Sequence, residues 1–129
     1  MTTPIRTSAS ILIVEDDPVL RFLLQEVLSD LGREIIAVES ADQGLMALQN
    51  QQICLLVTDV QTPGQINGWE LAWLTNRKDP KIPIIIASGY HRHSHVSTQP
   101  NAVYLQKPWP AGRLHQLAAE LLQRSSEAT

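Results

Sequence analysis

Ile11-Leu12-Ile13-Val14-Glu15-Asp16-Asp17-Pro18 passes from branched apolar side chains to three carboxylates and a proline without a break. A short apolar run of this kind, bounded by turn residues, reads as a strand buried on both faces. Asp17-Pro18 then reads as a helix start, a capping carboxylate followed by a proline suited to the first turn. Two further runs end in charge the same way: Leu55-Leu56-Val57 before Thr58-Asp59, and Ala102-Val103-Tyr104-Leu105 before Gln106-Lys107-Pro108. If all three are parallel strands, their charges converge on the carboxyl edge of one sheet, where open α/β sheets bind and react.

The pattern continues outward from that stretch. Val19, Leu20, Phe22, Leu23, Val27, Leu28 and Leu31 at helical spacing predict a helix ending before Gly32. A weaker strand over 34–38 precedes a helix opened by Ser40 or Ala41 and carrying Leu45, Met46 and Leu48. After the strand over 53–58, Asn67-Gly68 closes a polar loop before a helix over 69–77 with Leu71, Ala72 and Leu74. The next strand covers 82–87, and Pro83, lacking an N–H, suits its start. Residues 91–100 are polar and without helical periodicity, so any helix there is expected to be short or mobile. A last helix follows Pro108-Trp109-Pro110, with Leu114, Leu117, Ala118, Leu121 and Leu122 on one face. Five β/α units alternate, which predicts an α/β domain over 10–124 between a flexible lead-in (1–9) and a flexible tail (125–129).

Composition narrows the function. A chain of 129 residues holds one domain's worth of core. Its formal charge of -3, with few and scattered lysines and arginines, provides no basic surface for direct nucleic-acid binding. No apolar stretch has the length of a membrane span, and the first residues lack a signal peptide's apolar core, so a cytoplasmic location is expected. Cys54 is the single cysteine and begins an apolar run, which reads as a small buried hydrophobe and excludes a disulfide framework.

Carboxylates brought together at Glu15, Asp16 and Asp59 repel one another and call for a cation. The donors are hard oxygens without histidine or cysteine, which favours Mg²⁺, an ion that pairs a few carboxylates with phosphate oxygens. Lys107 adds a compact positive charge, and Ser88 adds a hydroxyl behind Ile84-Ile85-Ile86-Ala87. Asp59 is the best candidate nucleophile, able to form an aspartyl phosphate while Glu15 and Asp16 stay with the metal.

With these residues the chain resembles the receiver domain of two-component response regulators, in the single-domain, chemotaxis-type form. The resemblance rests on Val14-Glu15-Asp16-Asp17, on Asp59 with Pro63 and Asn67-Gly68 beyond it, on Ser88, and on Lys107-Pro108, in order at four strand ends. It covers 10–124 and implies a flavodoxin-like, doubly wound (βα)5 three-layer sandwich with strand order 2-1-3-4-5. It implies Asp59 as phosphoacceptor, Asp16 as direct Mg²⁺ ligand, Glu15 as a ligand through water, and the backbone carbonyl of Gln61 as a further ligand. Lys107 and Ser88 would engage the phosphoryl group, and Tyr104 would rotate inward when Ser88 moves. The implied partners are a histidine kinase or histidine phosphotransfer protein and an unidentified downstream protein target, with a homodimer through the last-strand face as a further expectation. Such a protein is a switch that catalyses only its own phosphorylation and dephosphorylation. Two departures lie beside the acceptor: Thr62 replaces the usual apolar residue before the proline, and Gly64 to Ile66 make the loop one residue longer than the commonest form.

Other readings are weaker. A Mg²⁺-dependent aspartate-phosphate hydrolase or phosphatase would need a second acid near the nucleophile, and Asp59-Val60-Gln61 offers none two residues on. A flavodoxin-like binding module without phosphotransfer would need a phosphate cradle where Glu15-Asp16-Asp17 stands. Trp69 and Trp73 are expected to pack against the sheet, and Trp109 to be exposed on the last-strand face. His91, His93 and His95 read as a solvated, pH-sensitive loop rather than a transition-metal site.

Overall fold

A computed structural model describes residues 9–89 and 102–127. The lead-in over 1–8, the segment 91–100 with its histidines, and residues 128–129 lie outside the described residues. The elements are β1 (Ser10–Val14), α1 (Pro18–Leu28), a 3-10 turn (Ser29–Leu31), β2 (Ile35–Val38), α2 (Ala41–Asn50), β3 (Ile53–Asp59), α3 (Gly68–Lys78), β4 (Ile84–Ser88), β5 (Ala102–Gln106) and α4 (Ala111–Glu127). All strand pairings are parallel, and the order is β2-β1-β3-β4-β5, as expected.

Alternate residues of each strand feed two cores, so continuous apolar runs are required rather than an apolar/polar alternation. Ile11, Ile13, Leu55, Val57 and Ile85 meet Leu24 and Leu28 of α1 and Leu114, Leu117, Ala118, Leu121 and Leu122 of α4. Leu12, Val14, Leu56, Ile84 and Ile86 meet Ala41 and Leu48 of α2 and Leu71 and Ala72 of α3. Each fully buried side chain of this size contributes about 1.5–3 kcal/mol relative to exposure. The three-layer sandwich is this double burial.

Several boundaries and faces differ from expectation. On α1 the stripe through Leu24, Val27 and Leu28 turns inward, continued by Leu31 of the 3-10 turn, while Val19, Phe22 and Leu23 are exposed. At 3.6 residues per turn a helix packed on one sheet cannot bury both sets. Strand β4 starts after Pro83, because Ile82 gives its N–H to the Asp79 carbonyl (3.1 Å) and Pro83 has none to give. Helix α4 continues past Arg124 to Glu127, and Ser125 Oγ donates to the Lys81 carbonyl (3.3 Å).

Candidate functional site

The register places Val14 beside Thr58, so Glu15 and Asp59 leave adjacent strands at neighbouring points on the carboxyl edge. Glu15 is buried, and its two carboxylate oxygens divide their work. Its Oε2 accepts the Asp17 N–H (3.1 Å), while its Oε1 accepts from Lys107 Nζ (3.0 Å). Its backbone carbonyl accepts from Arg21 Nη1 (2.9 Å), which ties the first turns of α1 to the end of β1. Asp17 caps α1 as expected, its Oδ1 accepting from Val19 N (2.9 Å) and Leu20 N (3.4 Å). Asp16, between them, is exposed.

Lys107 leaves β5 and also donates to Asp59 Oδ2 (3.0 Å), so one ammonium bridges the acids of two different strands. Burial pushes the Glu15 carboxyl above its ordinary 4.5, against the opposing pull of the Asp17 N–H and Lys107. Burial alone would lower the Lys107 ammonium, but hydrogen bonds to Glu15 and Asp59 outweigh it and raise the group above its ordinary 10.5.

Asp59 is held from the far side by the loop into α3. The Gln61 N–H reaches Asp59 Oδ1 (3.4 Å), and Gly68 N donates to the Val60 carbonyl (2.8 Å). Gly68 lies so close that a Cβ there would stand 1.8 Å from the Asp59 carbonyl oxygen. Only glycine fits this approach. Asn67 and Glu70 form a reciprocal capping box that starts α3 at this point. The loop's middle is fastened to α2: Asp42 accepts from Gln65 N (3.1 and 3.0 Å) and Ile66 N (3.0 Å), and Thr62 Oγ1 accepts from Ala41 N (3.1 Å). These backbone donors hold the Asp42 carboxyl below its ordinary 3.8.

Ligand oxygens of Glu15, Asp16 and Asp59 lie within 4.8 Å of one another. Three carboxylates face the single ammonium of Lys107, so the cluster keeps an excess of negative charge that a second, divalent cation would neutralise. An all-oxygen donor set suits Mg²⁺ rather than zinc. The residues fit the ion.

The structure therefore brings together Glu15, Asp16, Asp59 and Lys107, with Gln61 adjoining Asp59. Ser88 ends β4 in register with Gln106, one residue before Lys107. Tyr104 is half-buried and packs on the α2/α3 core. Trp69 packs on that core too, whereas Trp73 is 46% exposed, contrary to expectation, because it lies on the outer side of α3 from buried Leu71, Ala72 and Thr75. Trp109 packs against the α1/α4 core instead of standing free on the last-strand face. With Leu20, Leu23, Gly89, Lys107 and Pro108 it lines a cleft of about 470 Å³ at the mouth of the site. Sequence reasoning passed over Arg21, Asp42 and the steric role of Gly68. The longer loop, whose extra polar backbone needs partners, was the signal that pointed toward Asp42.

Comparison with known proteins agrees with this geometry. The family model described as the response regulator receiver domain matches residues 11–119. The chain is 35% identical over 115 residues to the response regulator protein FleR of Pseudomonas aeruginosa, covering 87% of this chain and 24% of FleR. It is 30% identical over 124 residues to the transcriptional regulatory protein GlrR of Escherichia coli, covering 94% and 28%. The chain thus spans about a quarter of the length of these curated relatives. Among solved structures, a response regulator receiver protein from Sinorhizobium medicae superposes with a TM-score of 0.84 at 27% identity, covering 92% of this chain and 97% of that one. A CheY-like receiver domain protein from Methanospirillum hungatei gives 0.85 at 24% identity, covering 95% and 100%, which bears on the fold alone.

Proposed function

The chain belongs to the response regulator receiver family of two-component signalling, and on that premise we propose that Asp59 takes a phosphoryl group from a phosphohistidine donor in a Mg²⁺-dependent reaction. The donor in this reading is a histidine kinase or histidine phosphotransfer protein. An Asp59 carboxylate oxygen bonds to phosphorus as the phosphorus–nitrogen bond to the imidazole breaks, and the electron pair leaves with that nitrogen. Water later attacks phosphorus and restores the free carboxylate. The observation that carries the reading is the convergence of Glu15, Asp59 and Lys107, with Lys107 Nζ 3.0 Å from an oxygen of each acid.

Glu15, Asp16, Asp59 and the Gln61 carbonyl would hold Mg²⁺. Bound there, the ion supplies charge neutralisation to phosphoryl oxygens. Lys107 touches Asp59 Oδ2, which supports assigning its ammonium to a phosphoryl oxygen added at that carboxylate. Ser88, at the end of the adjoining strand, is assigned the hydroxyl that engages the same group, and Tyr104 the rotation that follows. Alignment and neutralisation are the protein's whole contribution, so it acts as a signalling switch whose chemistry is confined to itself. Leu23, which lines the cleft at the site's mouth, is exposed on α1 together with Val19 and Phe22, and in this reading they offer the donor an apolar seat.

In this reading the domain works in the cytoplasm and signals to a downstream protein through the last-strand face, which also serves for pairing with a second copy. Incubation with acetyl phosphate and Mg²⁺ followed by whole-protein mass measurement tests the chemistry. Wild type gains one phosphoryl group and Asp59→Asn gains none; equal labelling of both moves the acceptor elsewhere.

A further inference from the structure

We propose that Asp42 is a positioning residue for phosphoryl transfer, clamping the loop after β3 onto the first turn of α2 so that Gln61 is held beside the acceptor. The inference rests on the assignment of Asp59 and the Gln61 carbonyl made above. Asp42 is not needed to start its own helix, because Ser40 already caps α2 by accepting the Gln43 N–H (3.1 Å). It spends both carboxylate oxygens on backbone donors 23 and 24 residues further along, at Gln65 and Ile66.

Two more residues serve the same fastening. Thr62, adjacent to Gln61, accepts the Ala41 N–H (3.1 Å) and turns its own hydroxyl toward the Ile66 carbonyl (3.5 Å). Gly64 has φ +113°, and a Cβ there would stand 2.8 Å from Asp42 Oδ2. A side chain at 64 would thus be strained twice, by the backbone conformation and by the carboxylate that closes over it. At its far end the loop is locked by Gly68 against the Asp59 carbonyl. Gln61 lies between Val60, whose carbonyl accepts the Gly68 N–H, and the fastened Thr62, and its own N–H already reaches Asp59 Oδ1 (3.4 Å). Threonine at 62, the added loop residue and the acid at 42 therefore belong to one device, in which the lengthened loop is tied down through α2.

Releasing the clamp leaves the carboxylates on β1 and β3 in place and frees the loop. Its signature is a loss of cation affinity without loss of the fold, since partners that orient ligands are worth about tenfold or more in metal affinity. The test compares wild type with Asp42→Ala, Asp42→Asn and Gly64→Ala by two readouts: amide hydrogen exchange at Gln61, Gln65 and Ile66 in the metal-free protein, and the Mg²⁺ dissociation constant by calorimetry. Asp42→Ala is expected to speed exchange at Gln65 and Ile66 and to weaken Mg²⁺ binding about tenfold. Asp42→Asn, whose amide oxygen still accepts, recovers part of both. Gly64→Ala reproduces the Asp42→Ala behaviour with every charge intact, and the double variant is no worse than either single one. Faster exchange at 65 and 66 with unchanged Mg²⁺ affinity overturns the positioning role, as does unchanged exchange. Wild type that takes up no Mg²⁺ overturns the functional reading beneath it, whereas wild type and Asp42→Ala binding Mg²⁺ equally overturns the clamp's role alone.

Discussion

The acidic and basic halves of the site stand on very different ground. Glu15 directly follows β1 and Asp59 ends β3, inner strands whose apolar residues Ile11 to Val14 and Leu55 to Val57 are buried to 1% exposure or less. Lys107 follows β5, which among the described residues is an edge strand pairing with β4 alone, and whose residues 102–105 are half-buried. Local stability follows burial and pairing, so the carboxylates are fixed while the lysine's support has freedom to adjust. In the proposed chemistry the nucleophile has to be aligned and the cation has to follow its product, and this division suits both.

Matched truncations in the two halves break or sharpen the contrast most strongly. Ile13→Ala on β1 should cost about 4 kcal/mol of stability and Leu105→Ala on β5 about 2 kcal/mol, read from urea unfolding midpoints. Equal costs would remove the distinction between a fixed and an adjustable half. Gly68→Ala comes next, at about 3 kcal/mol, since the new methyl meets backbone that cannot yield. That variant should also lose Mg²⁺ affinity, because relief of the clash must move either the loop or Asp59.

Lys107→Met leaves Glu15 without its cation and should destabilise the metal-free protein by about 2 kcal/mol. Added Mg²⁺ should then raise the variant's melting temperature by more than it raises that of wild type, because the ion takes over the missing charge. Equal shifts would mean that the lysine and the ion do not share a role. The smallest effect concerns pH. The Asp42 carboxyl titrates below its ordinary 3.8, so the folded protein binds its proton less tightly than the unfolded chain. The clamp's contribution is therefore present above pH 3.8 and lost as the pH falls through the lower folded value. Amide exchange at Gln65 and Ile66, corrected for intrinsic rates, should be flat near neutrality and accelerate only in that acid window. Acceleration already at pH 5 would contradict the assignment.

The sequence was most informative where periodicity and chemistry coincided. Branched runs buried on both faces have few alternatives, so β1, β3 and the acids behind them could be placed from Ile11 to Asp17 and Leu55 to Asp59. Asp17 announced itself as a cap through Pro18. Faces of helices were less legible: α1 carries apolar residues over more of its surface than one sheet can cover, and only packing reveals that Leu24 and Leu28 are buried while Phe22 is left outside. Trp73 misled for the same reason. Contacts between distant polar groups were least legible, since Asp42 looks like any first-turn acid until the loop at 64–66 folds onto it. The reach of Lys107 across to Glu15 could be anticipated as convergence on an edge, but its equal sharing between two acids could not.

The most direct test of the central claim locates the modified atom. After phosphorylation by a phosphohistidine donor in the presence of Mg²⁺, borohydride reduction converts an aspartyl phosphate to homoserine, and peptide mass mapping shows where. Homoserine at position 59 alone is the predicted result. Homoserine at another acid, or an unmodified Asp59 in protein that has taken up phosphate, would contradict the account.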